Sequence, residues 1–401
     1  MNVAPSVAIL IALDSPIDQH FCAHPEALFS RNIENINMSK TAEVADLALS
    51  LKEQGHKIVN MATGELSFKP ALTVRKEACR TINKGETLYT QVAGLNELRN
   101  LISAKLKKDL KIEYKCDEII VSNGGKQVIY NALQSTINSG DEVIIISPYW
   151  VSYPEIIKLC GGKPKVLNTT RREGFSINTE KLEKLITSKT KWIILNSPNN
   201  PTGVVYSTET IKKLVLVLRK YPDIWILSDD IYEKLNFSTE TNLSILHIDE
   251  KLKERSLVVN GFSKGYCMTG WRLGYGAGPK ILIEAMKKIQ SQSTSAANTI
   301  AQNAAIKALE LDNNHFKAIK ASLLKRRAIV ISALSDLECF DSNFSNGAFY
   351  LFPSIKRFLG KRLNGKEVIL NDTNFCMQLL SSEHVATVPG SSFGSKDSIR
   401  I

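Results

Sequence analysis

The sequence predicts an α/β fold, with a mostly parallel sheet covered by helices on both faces. Three observations carry this. Across residues 118–228, short apolar runs alternate with helical patterns, which is how strand–crossover–strand units read. The polar motifs sit immediately after those apolar runs, and such sheets bind ligands outside the carboxyl ends of their strands. The length of 401 residues and the 43% hydrophobic fraction suit one large domain or two, with a sizeable core.

In chain order, Ser39, Lys40 and Thr41 precede a helical pattern with Val44, Leu47, Leu49 and Leu51 as apolar positions. Residues 58–61 read as a short strand. Ala62-Thr63-Gly64-Glu65 closes it, and the glycine lets the backbone approach a ligand. Tyr89 lies on a loop before a helix that starts near Gly94 and runs to about Leu106. Strands follow at 118–122, 142–146, 165–167, 192–195 and 224–228. Helices follow Gln127 and Trp150, and others cover 179–186 and 210–219. Residues 258–276 open as a buried strand and break into a Gly- and Ser-rich turn carrying Lys264. Beyond Ile300 one long helical pattern runs through Ala333. Strands are expected at 347–352 and 385–390, and residues 399–401 read as the start of a last strand.

Composition excludes several classes. The net charge of +11 would suit nucleic acid or a membrane surface. The basic residues are scattered and interleaved with Glu, however, and no nucleic-acid-binding motif is present. The seven cysteines are odd in number and none are spaced Cys-x-x-Cys, which fits a reducing, cytoplasmic compartment and no zinc site. The six histidines are dispersed, with no His-Glu-x-x-His. Residues 7–13 are apolar but too short to span a membrane. They also lack the basic start of a signal peptide, so residues 1–35 read as an N-terminal arm.

Five motifs share the sheet edge. Asn123-Gly124-Gly125-Lys126 turns a strand into a helix, whose free N–H groups and dipole suit a phosphate. It is not a Walker loop, since no Ser or Thr follows Lys126. Asn196-Ser197-Pro198-Asn199-Asn200-Pro201-Thr202-Gly203 is a rigid turn that would fix an asparagine. Asp229 ends a strand, where it can hold a protonated pyridine nitrogen, with Tyr232 three residues on. Lys264 is placed as a nucleophilic amine. Arg272, eight residues later, offers a planar fork to a phosphate. Each alone is ordinary: a turn, a helix cap, a surface lysine. Together they point to an aldehyde cofactor bearing a phosphate, pyridoxal phosphate held as a Schiff base.

With Ser-Pro-Tyr-Trp-Val-Ser-Tyr-Pro from Ser147, Asn-Ser-Pro-Asn-Asn-Pro-Thr-Gly from Asn196 and Ser-Lys-x-Tyr-x-Met-Thr-Gly-Trp-Arg from Ser263, the chain from about Ile36 onward resembles the fold-type-I pyridoxal-phosphate aminotransferases. Within them it is most similar to the bacterial-type aspartate aminotransferases that overlap with prephenate aminotransferases. The resemblance implies a large cofactor domain at 66–305 with a seven-stranded sheet. It also implies a smaller α+β domain from 36–65 and 306–401. Lys264 is then the Schiff-base lysine and proton shuttle, and Asp229 the pyridinium partner. Asn200 and Tyr232 bond the ring oxygen, and Trp150 stacks on the ring. Arg272, Ser263 and the amides of Gly124, Gly125 and Lys126 grip the phosphate. Tyr89 reaches the phosphate of the other subunit, so a homodimer is implied. Gly64, Asn200 and Arg400 clamp the substrate α-carboxylate. Trp150 also borders the substrate, and Lys126 and Thr41 face its distal carboxylate.

The implied reaction moves an amino group between aspartate or glutamate and a 2-oxo acid. Prephenate or an aromatic amino acid is the alternative substrate, and a catalytically impaired relative is a further one. Three departures bear on these expectations. Gly261 stands where some members have a phosphate-binding serine, Leu66-Ser67 replaces a Pro-Asp pair, and the chain ends one residue after Arg400. The last leads us to expect an incomplete C-terminal part and a frayed mount for the clamp.

Overall fold

The computed structural model describes residues 30–238, 243–337, 346–362 and 367–401. Most of the expected N-terminal arm lies outside them. Within them the strands are β1 (Val59–Asn60), β2 (Ile119–Ser122), β3 (Glu142–Ser147), β4 (Lys163–Asn168), β5 (Thr190–Asn196) and β6 (Trp225–Asp229). They continue with β7 (Ser256–Gly261), β8 (Gly274–Ala277), β9 (Val385–Ala386), β10 (Val388–Pro389) and β11 (Ile399–Arg400).

The main sheet has seven strands in the order β2-β8-β7-β6-β5-β3-β4. Only β8 runs antiparallel to its neighbours. Apart from the edge strand β4, its strands are buried on both faces, as parallel sheets require. Ile119, Val121, Ile144, Ile146, Ile193, Leu195, Ile226 and Val258 point into one core. Ile120, Val143, Ile145, Trp192, Ile194, Leu227, Leu257 and Val259 point into the other. Helices Gly125–Thr136 and Lys280–Ser293 cover the second face through Val128, Leu133, Leu282 and Met286, while Asn96–Leu110 and Thr208–Arg219 cover the first.

β1 pairs in parallel with β9, and β10 pairs with β11 antiparallel. The segment leading to Gly64 is thereby tied to the C-terminal part of the chain. Arg400 is not frayed. It lies in β11, 2% exposed, and Ile401 exchanges backbone hydrogen bonds with Leu351.

Other expectations change. The single helix expected through Ala333 is two, Thr299–Leu309 and Asn313–Asp336. Asp312 breaks the run because its carboxylate accepts the His315 amide, an N-cap. Residues 347–352 form no continuous ladder. Gly347 bridges Asn236, and Leu351 pairs with Ile401. The strand expected at 385–390 divides into β9 and β10 around Thr387.

Candidate active site

The carboxyl ends of β5, β6 and β7 open onto a cavity of about 450 Å³. Its lining includes Lys264, Asp229, Tyr232, Asn200, Arg272 and Arg400, joined by Thr41, Gly64, Gly125, Lys126, Trp150 and Ser263. The expected residues thus converge from points hundreds of positions apart, with two differences. Gly124 lies behind the lining against Arg272, and Tyr89 stands 93% exposed outside it.

Lys264 lies just past β7. Its partly buried side chain donates from Nζ to the Gly64 carbonyl at 2.5 Å. Asp229 ends β6 and is buried. Burial pushes its carboxyl up to about 6, against the opposing pull of the Tyr153 hydroxyl, the Ile231 amide and the Lys264 charge. The Tyr153 hydroxyl donates to Asp229 Oδ2 at 2.6 Å. Asn196 ties the neighbouring strand end down: its Nδ2 donates to the Asp229 carbonyl at 2.9 Å, and its Oδ1 accepts the Asn200 amide at 2.9 Å. Asn199 Oδ1 accepts from both the amide and the hydroxyl of Thr202. The loop that presents Asn200 is therefore held by side chains at both its start and its middle.

The phosphate cradle is built by close backbone approach. Gly124 has φ +89°, and a Cβ there would stand 2.7 Å from Arg272 Nη2. A Cβ on Gly274 would stand 2.4 Å from the Gly125 nitrogen, so β8 passes directly under the helix start. Arg272 itself takes a left-handed conformation, φ 53°, and its Nη1 donates to the Thr269 carbonyl at 2.9 Å. The absence of a serine at position 261 also has a cause here. A Cβ on Gly261 would lie 2.9 Å from Gly274 Cα and 3.0 Å from the Leu273 carbonyl. The Leu66-Ser67 departure does not leave its loop unsupported: Arg326 donates to Ser67 Oγ at 2.7 Å and lies over the Phe68 ring.

Opposite the cradle, Arg400 Nη1 donates to Asn200 Oδ1 at 3.1 Å and Nη2 to the Ala62 carbonyl. Its buried Nε has no hydrogen-bond partner among the described residues. Lys126 Nζ lies 5.1 Å from the Trp150 ring centroid. Partial desolvation and the Arg272 charge hold its ammonium below its ordinary range, although the residue as a whole is exposed.

Sequence reasoning missed Tyr153, Asn196 and Tyr350. The first two lie inside the quoted motifs but read there as packing and turn residues. Tyr350 has no motif and comes from a segment expected to be an ordinary strand.

The family model for class I and II aminotransferases matches residues 56–401. The chain belongs to the class I and II aminotransferases. A probable aspartate/prephenate aminotransferase from Rhizobium leguminosarum bv. phaseoli is 42% identical over 375 residues, covering 94% of each chain. The aspartate aminotransferase of Rhizobium meliloti strain 1021 is 39% identical over 92% of this chain and 90% of its own. A crystal structure of the aspartate aminotransferase from Rhizobium meliloti superimposes with a TM-score of 0.89, at 38% identity over 93% of both chains. The Thermus thermophilus aspartate aminotransferase with maleate gives 0.86, at 34% identity over 93% and 94%.

The chain is therefore an aminotransferase, and these likenesses favour that activity over a relative that binds cofactor without amino transfer. The family uses pyridoxal phosphate, acts on amino acids and oxo acids, and is typically dimeric. No described helix is long and apolar enough to cross a membrane.

The residues present fit that cofactor. Asp229 is a buried carboxyl raised by desolvation, which a cationic ring nitrogen would relieve. Gly124 takes a positive φ that a side chain would strain, and the cradle presents amides and a guanidinium to a phosphate.

Proposed function

We propose that this chain holds pyridoxal phosphate on Lys264 and moves amino groups between aspartate or glutamate and 2-oxo acids, as a cytoplasmic homodimer. The observation that carries the reading is one cavity with an amine, a buried carboxyl and a buried carboxylate clamp on three sides, from Lys264, Asp229 and Arg400. When bound, pyridoxal phosphate supplies an electron sink for negative charge at the substrate Cα. Asp229 would hold the proton on the ring nitrogen, and Tyr153 and the Ile231 amide hold Asp229. Asn200 and Tyr232 would bond the ring oxygen, and Trp150 would stack on the ring. Arg272, Ser263 and the amides of Gly124, Gly125 and Lys126 would hold the phosphate.

Arg400, Asn200 and Gly64 hold the α-carboxylate. Once the substrate amine has displaced it, the free Lys264 Nζ would be placed to take the proton from the substrate Cα and to hold it for return. Lys126 and Thr41 line the far side of the cavity and suit the distal carboxylate. The names of the relatives above support aspartate and leave prephenate as the second acceptor to try. We also read residues 66–305 as the large domain, with 36–65 and 306–401 as the small one. The free thiols of Cys79, Cys116, Cys160, Cys267 and Cys376 support a reducing compartment.

The test is spectral. Purified chain is loaded with pyridoxal phosphate, and aspartate alone is added. The long-wavelength absorbance of the lysine-bound cofactor should convert to that of the amine form, and Lys264→Ala should abolish the conversion. Turnover surviving in Lys264→Ala would refute the reading. Rates with prephenate and phenylalanine rank the substrates.

A further inference from the structure

Tyr350 touches both halves of the site without belonging to any motif. It is 5% exposed and lines the cavity. Its hydroxyl lies 2.8 Å from the Tyr232 hydroxyl, and the two rings meet edge to face with centroids 5.7 Å apart. The Arg400 guanidinium sits 4.6 Å over the Tyr350 ring centroid. A Cβ added to Gly64 would lie 2.6 Å from the Tyr350 hydroxyl, so the same tyrosine also borders the residue whose carbonyl accepts from Lys264.

We propose that Tyr350 is a positioning residue shared by the cofactor and substrate sides of the site: its hydroxyl orients the Tyr232 hydroxyl, and its ring carries the Arg400 guanidinium. The hydroxyl argument is one of proton counting. Each phenol has one proton, and one of the two is used in the bond between them. If Tyr232 donated, it would have nothing left to give the cavity. With Tyr350 donating, the Tyr232 proton is free to point at a ring oxygen. That direction follows from placement: Tyr232 is the phenol assigned to the ring oxygen, whereas Tyr350 lies under the Arg400 guanidinium. The ring argument is electrostatic and steric. Arg400 rests between the Tyr350 and Phe393 rings, 4.6 and 5.2 Å from their centroids, and this sandwich fixes the fork that an α-carboxylate would meet.

The inference rests on the functional reading above, and two variants separate its parts. Tyr350→Phe keeps the ring and loses the hydroxyl. In the cofactor-loaded protein the pH midpoint of the lysine-bound absorbance should rise, because a weaker donor at the ring oxygen leaves the site's proton more tightly held. kcat should fall about fivefold, the worth of one hydrogen bond. The Kd for maleate, a dicarboxylate that cannot react, should stay unchanged. Tyr350→Leu also removes the ring, and maleate should then bind roughly threefold to thirtyfold more weakly, the range for a cation–π contact. A Phe variant with the wild-type midpoint and kcat overturns the hydroxyl role. A Phe variant that loses as much maleate affinity as Leu overturns the ring role. Wild-type protein that takes up no pyridoxal phosphate overturns this inference together with the functional reading. Wild type that loads and turns over beside unchanged Phe and Leu variants overturns this inference alone.

Discussion

Asp229 and Asp230 are consecutive carboxyls with opposite surroundings. Asp229 faces the active-site cavity, whereas Asp230 lines a second cavity of about 200 Å³ with Asp109, Glu233, Lys234 and His247. Both are buried, and burial pushes Asp229 up to about 6 and Asp230 up to about 8. For Asp230, the Ser228 hydroxyl bond and Lys105 oppose the rise, and the charges of Glu233 and Asp229 add to it. A carboxyl that binds its proton more tightly folded than unfolded contributes stability that is full at low pH. That contribution is lost as pH rises through the folded value. The cofactor-free chain should therefore lose stability between about pH 4 and pH 8 from these two groups. Asp230→Asn should remove the upper part of the slope and raise Tm at pH 8 relative to wild type. Thermal unfolding across that pH range checks it, and parallel Tm curves for the two proteins would contradict it. Asp229 was legible in the sequence because it ends an apolar run. Its anchor Tyr153 was not, since a tyrosine in the first turn of a helix looks like any packing residue until the strand end beside it is known.

At the level of elements, the crossover pattern was legible because strands buried on both faces are dense in apolar residues. β8 was not, since Gly274-Tyr275-Gly276-Ala277 has no such density. Its glycines serve approach rather than burial. The helix Leu72–Asn83 also escaped notice. Its buried stripe is Val74, Ala78 and Thr81, with charged residues between, so composition hid a regular spacing. The β8 glycines lead to a sharp expectation. In Gly274→Ala the new Cβ would meet the Gly125 nitrogen at 2.4 Å and the Gly124 carbonyl carbon at 2.7 Å. Both are backbone atoms at the phosphate cradle and cannot turn aside as a side chain would. Relief requires shifting the helix start, so stability should fall by about 1–3 kcal/mol. Pyridoxal phosphate should also be retained less well. Equilibrium dialysis beside thermal unfolding distinguishes this from simple overpacking, which would lower Tm and leave cofactor affinity intact.

For the whole molecule, the question is what Tyr89 serves. It is 93% exposed beside Leu88, itself 82% exposed, and Leu72 and Ile82 of the preceding helix are each 55% exposed. Tyr89 does not line its own chain's cavity. A role at a phosphate therefore requires a second copy to bring it there, and the exposed apolar side chains around it suit a covered face. A two-fold dimer would place each Tyr89 at the other protomer's site. This makes a prediction that no single-chain role reproduces. A Lys264→Ala protomer keeps Tyr89 but has no working amine, and a Tyr89→Ala protomer keeps its amine but offers no tyrosine. Each homodimer should be weak or inactive. In a mixed dimer, the site with Lys264 from one protomer receives Tyr89 from the other and is whole. Random reassortment makes half the dimers mixed, with one whole site of two, so activity should recover to about a quarter of wild type. Recovery should follow subunit exchange in time, and size-exclusion chromatography should show a dimer throughout. A mixture no more active than the sum of its parts would remove Tyr89 from the partner's site, leaving the Lys264 chemistry untouched.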